Sequence, residues 1–199
     1  HEGHDGRGRG LLVDRGARRV VAVRDAQRAA RLLGERGAAQ GDDEKGSQQR
    51  AGKAHCVALS GGRITQKFFA SVVEQNQSRK ISFANAHFFW ADERCVPPSH
   101  PDSNFKLADE LLFQPLKIAA DKIHRLRGEL PPAEALKIAE ADLRQAAPDN
   151  KLDLILIGMG EDGHTASLFP DAPELQTGLS EPEPGYLVTH PSTAPHARV

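Results

Sequence analysis

Three stretches of this chain run through apolar residues and then break abruptly into glycine or charge: "AHCVALSGG" (54–62), "ANAHFFWADER" (84–94) and "KLDLILIGMG" (151–160). A strand with one wet face alternates apolar with polar residues. These stretches do not alternate, so both of their faces must be covered. Helical spacing fills the chain between them. Phe68, Phe69, Val72 and Val73 share one face of "ITQKFFASVVEQ" (64–75), and "PAEALKIAEADLRQA" (132–146) is amphipathic. Earlier in the chain, Val20, Val21 and Val23 suit a short strand, and Ala26, Ala29, Ala30 and Leu33 a following helix. The polar segment 41–53 reads as a loop. So does "VPPSHPDS" (96–103), where Pro97, Pro98 and Pro101 exclude a ladder or a helix interior, and where Asp102 or Ser103 can cap the helix of "NFKLADELLF". "GYLVTH" (185–190) is expected to be a fourth strand. Strands alternating with helices predict an α/β fold built on a parallel sheet.

The 199 residues suit one domain. Residues 1–18 are rich in Gly and Arg and lack periodicity, so they are expected to be disordered or not native to the fold, with a single domain over 19–199. A net charge of −1 gives no general attraction for nucleic acid. The arginines of the N-terminal segment are diluted by Asp5 and Asp14 and have no aromatic neighbours on which bases could stack. No stretch reaches the roughly 18 apolar residues of a membrane span, and the first ten residues have no apolar core of a secretory signal. Cys56 and Cys95 read as small core residues of a reducing compartment. The expectation is a cytoplasmic protein.

Each polar break follows the end of an apolar run, and in open α/β sheets the carboxyl ends of the strands line one crevice. Three segments are therefore expected to converge. In "SGGRIT" (60–65), Ser60, Gly61, Gly62 and Arg63 form a strand-to-helix turn whose backbone N–H groups suit a phosphate, although a plain tight turn fits the same residues. "WADER" (90–94) brings Asp92, Glu93 and Arg94 together, either into the crevice or as a solvated charge cluster. "GEDGHTAS" (160–167) holds Asp162 and His164 among Gly160 and Gly163. Histidine titrates near neutral pH, so His164 is the best general-base candidate, with Asp162 fixing its tautomer. A structural histidine in a loop is the plainer alternative. His164 has no second histidine at ligand spacing, and the other eight are scattered singly, so no metal site is expected.

Taken together, "LSGGR", "FFWADERCVPPSHPDSN" and "DLILIGMGEDGHTASLFP" resemble, in order and spacing, the signature blocks of the 6-phosphogluconolactonases. The related glucosamine-6-phosphate deaminases share the Gly-x-Asp-Gly-His core but continue differently from the "TASLFP" found here. The resemblance implies a three-layer, Rossmann-like, mostly parallel sheet with helices on both faces. It implies hydrolysis of 6-phospho-D-glucono-1,5-lactone to 6-phosphogluconate in the oxidative pentose phosphate pathway. It implies no metal and no organic cofactor, and a phosphosugar lactone as the partner. Carried onto this chain, the "SGGR" turn would hold the phosphate, Gly160 and Gly163 would admit the ligand, and Asp92 and Asn104 would shape the sugar site. Arg94 would contact phosphate or developing charge, and His164 would be the base beside Asp162. Two departures stand out. Arg63 replaces a small hydroxyl residue of the first block, and the family continues past "HARV" with further strands and a helix, so C-terminal truncation is expected. Two other readings remain at this stage: a glucosamine-6-phosphate isomerase or deaminase, and a catalytically inactive sugar-phosphate binding module.

Overall fold

A computed structural model describes residues 20–22, 54–147, 151–180 and 185–199. The expected helix over 26–33, the loop over 41–53 and the segment 1–18 lie outside the described residues. Four strands form one sheet: β1 (Val20–Ala22), β2 (His55–Leu59), β3 (Ala86–Trp90) and β4 (Leu154–Ile157). Their order is β1-β4-β2-β3, and every pairing is parallel. Val57 is in register with Phe88 on one side and Leu154 on the other. The sheet is edged beyond β3 by a parallel bridge from Phe88 to Ile123.

The helices are α1 (Arg63–Arg79), α2 (Asn104–Ala108), α3 (Gln114–Leu116), α4 (Pro132–Ala146) and α5 (Leu175–Ser180). One π turn, Asp109–Phe113, joins α2 to α3, so the helix expected over 104–113 is regular only in its first half. Ser103, not Asp102, caps α2 by accepting from the Lys106 N–H at 3.2 Å.

The apolar runs are continuous because successive side chains serve two cores. Val57, Leu59, Phe88, Trp90, Leu154 and Leu156 pack with Phe68, Phe69 and Val72 of α1 and with Leu112 and Phe113 of the π turn. Cys56, Ala58, Phe89 and Ile155 face the other way, onto Leu143 and Ala146 of α4 and onto Ala147. Each large side chain so buried contributes about 1.5–3 kcal/mol.

Residues 185–190 do not join the sheet, contrary to the expectation of a strand there. Thr189 instead makes an isolated antiparallel bridge with Arg198, exchanging N–H···O bonds of 3.0 and 2.9 Å. A turn containing Pro191 and Pro195 folds the chain back on itself, so the Thr189 backbone groups go to Arg198, while the His190 N–H donates to the Glu174 carboxylate. Those residues in turn run antiparallel to 93–95. Glu93 and Val199 exchange two backbone bonds, and the Cys95 N–H donates to the Ala197 carbonyl. Among the described residues, no helix is long and apolar enough to cross a membrane.

Candidate active site

β4, β2 and β3 are neighbours in a parallel sheet, so the turns that leave their carboxyl ends lie side by side. These are the three segments expected to converge, and direct contacts join them. Asp92, after β3, is buried and holds both other turns. One carboxylate oxygen accepts from Ser60 Oγ at 3.3 Å, the other from Ser167 Oγ at 2.8 Å. Asn104 Nδ2 donates to the Asp92 carbonyl at 2.9 Å, and its Oδ1 lies over Gly61. A Cβ on Gly61 would stand 1.8 Å from that oxygen, so only glycine admits this approach. Asp92 and Asn104 thus spend their polar atoms framing the crevice wall.

Glu93 is 2% exposed and turns inward beneath the start of α2. Its carboxylate accepts from the N–H groups of Arg94, Asn104 and Phe105 at 2.7–2.8 Å and from Ser103 Oγ at 3.0 Å. Burial pushes its carboxyl above the ordinary glutamate range, against the pull of those donors.

The first turn ends in Gly62, whose φ of 96° belongs to the left-handed region, and it leads directly into α1. No acidic residue occupies the first turn of this 17-residue helix, so its positive end is not neutralised. Arg63 points outward and lies 3.8 Å from Glu161 of the third turn. Both side chains are almost wholly exposed, at 96% and 99%, so this pair adds little stability. It does show that the two turns stand within side-chain reach of each other.

The third turn carries the titratable pair. His164 Nδ1 lies 2.5 Å from Asp162 Oδ1, which also accepts from the His164 N–H at 3.2 Å. With Nδ1–H donating to the carboxylate, Nε2 keeps its lone pair as a proton acceptor. The hydrogen bond from His164 holds the Asp162 carboxyl below the usual aspartate range. The imidazole stacks on buried Phe169, with ring centroids 4.3 Å apart. Gly160 is demanded by close approach, since a Cβ there would lie 2.3 Å from His164 Nδ1 and 2.5 Å from Asp162 Oδ1. Gly163 is demanded by its φ of 87°. The N–H groups of Gly160 and Gly163 are both used inside the turn, on the carbonyls of His164 and Gly160.

Sequence reasoning passed over one residue of this site. Arg198 is only 6% exposed and pairs through its backbone with Arg94. Its guanidinium carbon stands 6.0 Å from the centroid of the Phe169 ring, so one ring contacts both His164 and Arg198. Burial, and then the charge of Arg94, lower its pKa from the ordinary arginine value. Among the described residues, neither guanidinium ion-pairs with a carboxylate, and Arg94 Nε is buried without a hydrogen-bond partner. Arg94 Nη1 donates to the Asp102 carbonyl, and Arg198 Nη1 to that of His196. Two arginines side by side, neither held in an ion pair, make a site electrostatically suited to an anion, with the Asp92 and Asp102 carboxylates offsetting part of the charge.

Residues 22–199 match the family described as glucosamine-6-phosphate isomerases/6-phosphogluconolactonase. The chain belongs to this family. It is 39% identical over 137 residues to the 6-phosphogluconolactonase of Haemophilus influenzae, covering 69% of this chain and 57% of that one. It is 36% identical over 143 residues to the 6-phosphogluconolactonase of Treponema pallidum, with the same coverage. Among solved structures, the 6-phosphogluconolactonase of Thermotoga maritima superposes with a TM-score of 0.65 at 27% identity, over 90% of this chain and 74% of that one. A 6-phosphogluconolactonase structure from Neisseria gonorrhoeae gives 0.63 at 31% identity, over the same shares. The chain spans 57% of the length of these two curated relatives, and half or less of several others.

Proposed function

We propose that this chain carries the catalytic centre of a 6-phosphogluconolactonase, a hydrolase that opens 6-phospho-D-glucono-1,5-lactone with water. The observation that carries this reading is the shared use of Phe169: the His164–Asp162 pair and Arg198, which is backbone-paired to Arg94, meet across one ring at the carboxyl ends of the strands. A phosphosugar lactone needs both halves of that arrangement, a cationic seat for its phosphate and a base for the attacking water. A reducing, cytoplasmic setting suits the thiols of Cys56 and Cys95.

In this reading Ser60, Gly61, Gly62 and Arg63 at the start of α1, together with Arg198, hold the anionic end of the substrate. Asp92 and Asn104 fix the wall between them. Gly160 and Gly163 keep the third turn low enough for the lactone to reach His164. His164 Nε2 takes a proton from water as its oxygen bonds to the lactone carbonyl carbon. The ring C–O bond then breaks, and the leaving alkoxide takes that proton from Nε2, returning His164 to its neutral form. Asp162 holds the Nδ1 proton and steadies the imidazolium. Because the Gly160 and Gly163 amides are already used, Arg94 is the donor for charge developing on the carbonyl oxygen. A lactone is an activated ester, so no covalent enzyme intermediate is required.

The test is turnover of freshly prepared lactone by the purified chain, measured against spontaneous hydrolysis. His164→Ala is expected to reduce kcat about 100- to 10,000-fold. A His164→Ala chain with ordinary turnover would remove the base assignment. Ammonia released from glucosamine 6-phosphate would move the chain to the isomerase branch of the family.

A further inference from the structure

Three side chains of metal-binding type converge beside the arginine pair, on two segments far apart in sequence. His100 and Asp102 lie in the loop before α2, and His196 lies in the C-terminal segment. One ligand atom from each lies within 4.8 Å of the other two. His196 Nε2 is 3.0 Å from Asp102 Oδ2, and His100 Nδ1 is 3.9 Å from the same oxygen. The two imidazoles stand edge to face, with centroids 5.3 Å apart.

We propose that His100, Asp102 and His196 form a binding site for a borderline divalent transition-metal ion, of which Zn²⁺ is the best match. Two imidazoles and one carboxylate are a three-ligand set that leaves a fourth position for water. Zinc ligands at about 2.0–2.2 Å place their donor atoms roughly 3.3 Å apart in a tetrahedron. His196 Nε2 and Asp102 Oδ2 are near that spacing as a hydrogen-bonded pair 3.0 Å apart, and the metal would take the place of the Nε2 proton between them. His100 has to close by about 0.6 Å toward Asp102, from 3.9 Å, and by at most about 1.5 Å toward His196, a movement open to a loop side chain that remains 35% exposed. The Asp102 N–H donates to His100 Nδ1 at 3.1 Å, so that nitrogen is unprotonated, as a ligand must be, and closure exchanges this hydrogen bond for a coordinate bond. Mg²⁺ and Ca²⁺ are disfavoured, because they take oxygen ligands almost exclusively.

The surrounding charge sets the strength. Arg94 reaches the Asp102 carbonyl and Arg198 the His196 carbonyl, so two guanidinium groups oppose an incoming cation. The expected affinity is therefore micromolar and not the far tighter binding of a closed structural zinc site. The proposal is independent of the role given to His164, and its failure would leave the lactonase reading untouched.

The experiment is calorimetric titration of the metal-stripped full chain with Zn²⁺, paired with Co²⁺ absorption to report ligation. The chain has other histidines, including His1 and His4, so the readout is a difference between variants. Unaltered chain is expected to bind one equivalent that His196→Ala and His100→Ala each weaken by at least roughly 10- to 100-fold, with loss of the matching Co²⁺ absorption. Thermal melts of the metal-free chains check that both variants fold. Equal Zn²⁺ stoichiometry and affinity in all three chains would overturn the proposal, as would binding no tighter than about 1 mM in the unaltered one.

Discussion

A methyl group added at Gly160 would sit where His164 Nδ1 and Asp162 Oδ1 now stand, 2.3 and 2.5 Å away. One of the two must move, and the hydrogen bond that sets the tautomer goes with it. The turn is exposed and carries little of the core, so the cost falls on chemistry and not on the fold. Gly160→Ala is expected to lower kcat by about 100-fold, the scale of a displacement near 1 Å, with a melting temperature close to that of the unaltered chain. Gly158→Ala is the control, because a Cβ there meets nothing within 4 Å. Equal lactone turnover by both variants would show that the His–Asp spacing does not matter. The pair itself was legible in the sequence, because histidine, acid and glycines are contiguous and their chemistry is local. Arg198 was not. Its place beside Arg94 follows from antiparallel pairing between residues far apart in the chain, which no short-range pattern encodes. The His100–Asp102–His196 cluster was hidden for the same reason.

Between β3 and α2, the chain uses a buried carboxylate as scaffolding. Glu93 satisfies three backbone N–H groups and the Ser103 hydroxyl, and through them fixes Asn104 over Gly61. Glu93→Gln keeps the shape but turns an amide NH₂ toward donors that expect an acceptor. The loss should be about 1–3 kcal/mol, read as a fall in melting temperature of roughly 2–4 °C for each kcal/mol in a chain of this size. KM for the lactone should rise as Asn104 loses its seat. An unchanged melting temperature would show that the carboxylate is not holding α2. From sequence, three adjacent charges read equally well as a solvated cluster, because only the fold shows which of them turn inward. The parallel strands and their covering helices were readable, since uninterrupted apolar runs fit little else. The segment 185–190 was misread because its apolar residues suit any extended backbone, and its partner depends on a proline-containing turn that comes later.

Across the whole molecule, acid sensitivity should be set first by a histidine pair remote from the site. His87 Nδ1 and His124 Nε2 are 2.8 Å apart at the β3 edge, and Lys122 Nζ lies 3.3 Å from His87 Nε2. Burial, helped by Lys122 and His124, holds His87 below the ordinary histidine value. Burial also lowers His124, against the opposing charges of Asp142 and Asp121. The unfolded chain takes up these protons near pH 6.5, where the folded chain still refuses them, so the unfolded state binds more protons as pH falls. This part of the stability is therefore whole above about pH 6.5 and drains away as pH drops through the lowered folded values. The solvent-facing carboxylates held low by histidine partners, Asp102, Asp162 and Glu174, act in a later window, below about pH 4, and weakly because water screens them. Melting temperature should be level between about pH 8 and 7 and decline between about 6.5 and 5. His124→Phe retains a ring to stack on Phe89, whose centroid lies 4.5 Å from the imidazole, and removes one titrating group. It should make the decline between about pH 6.5 and 5 shallower, whatever it does to stability at pH 8. A decline of unchanged slope in that variant would place the acid sensitivity elsewhere in the chain.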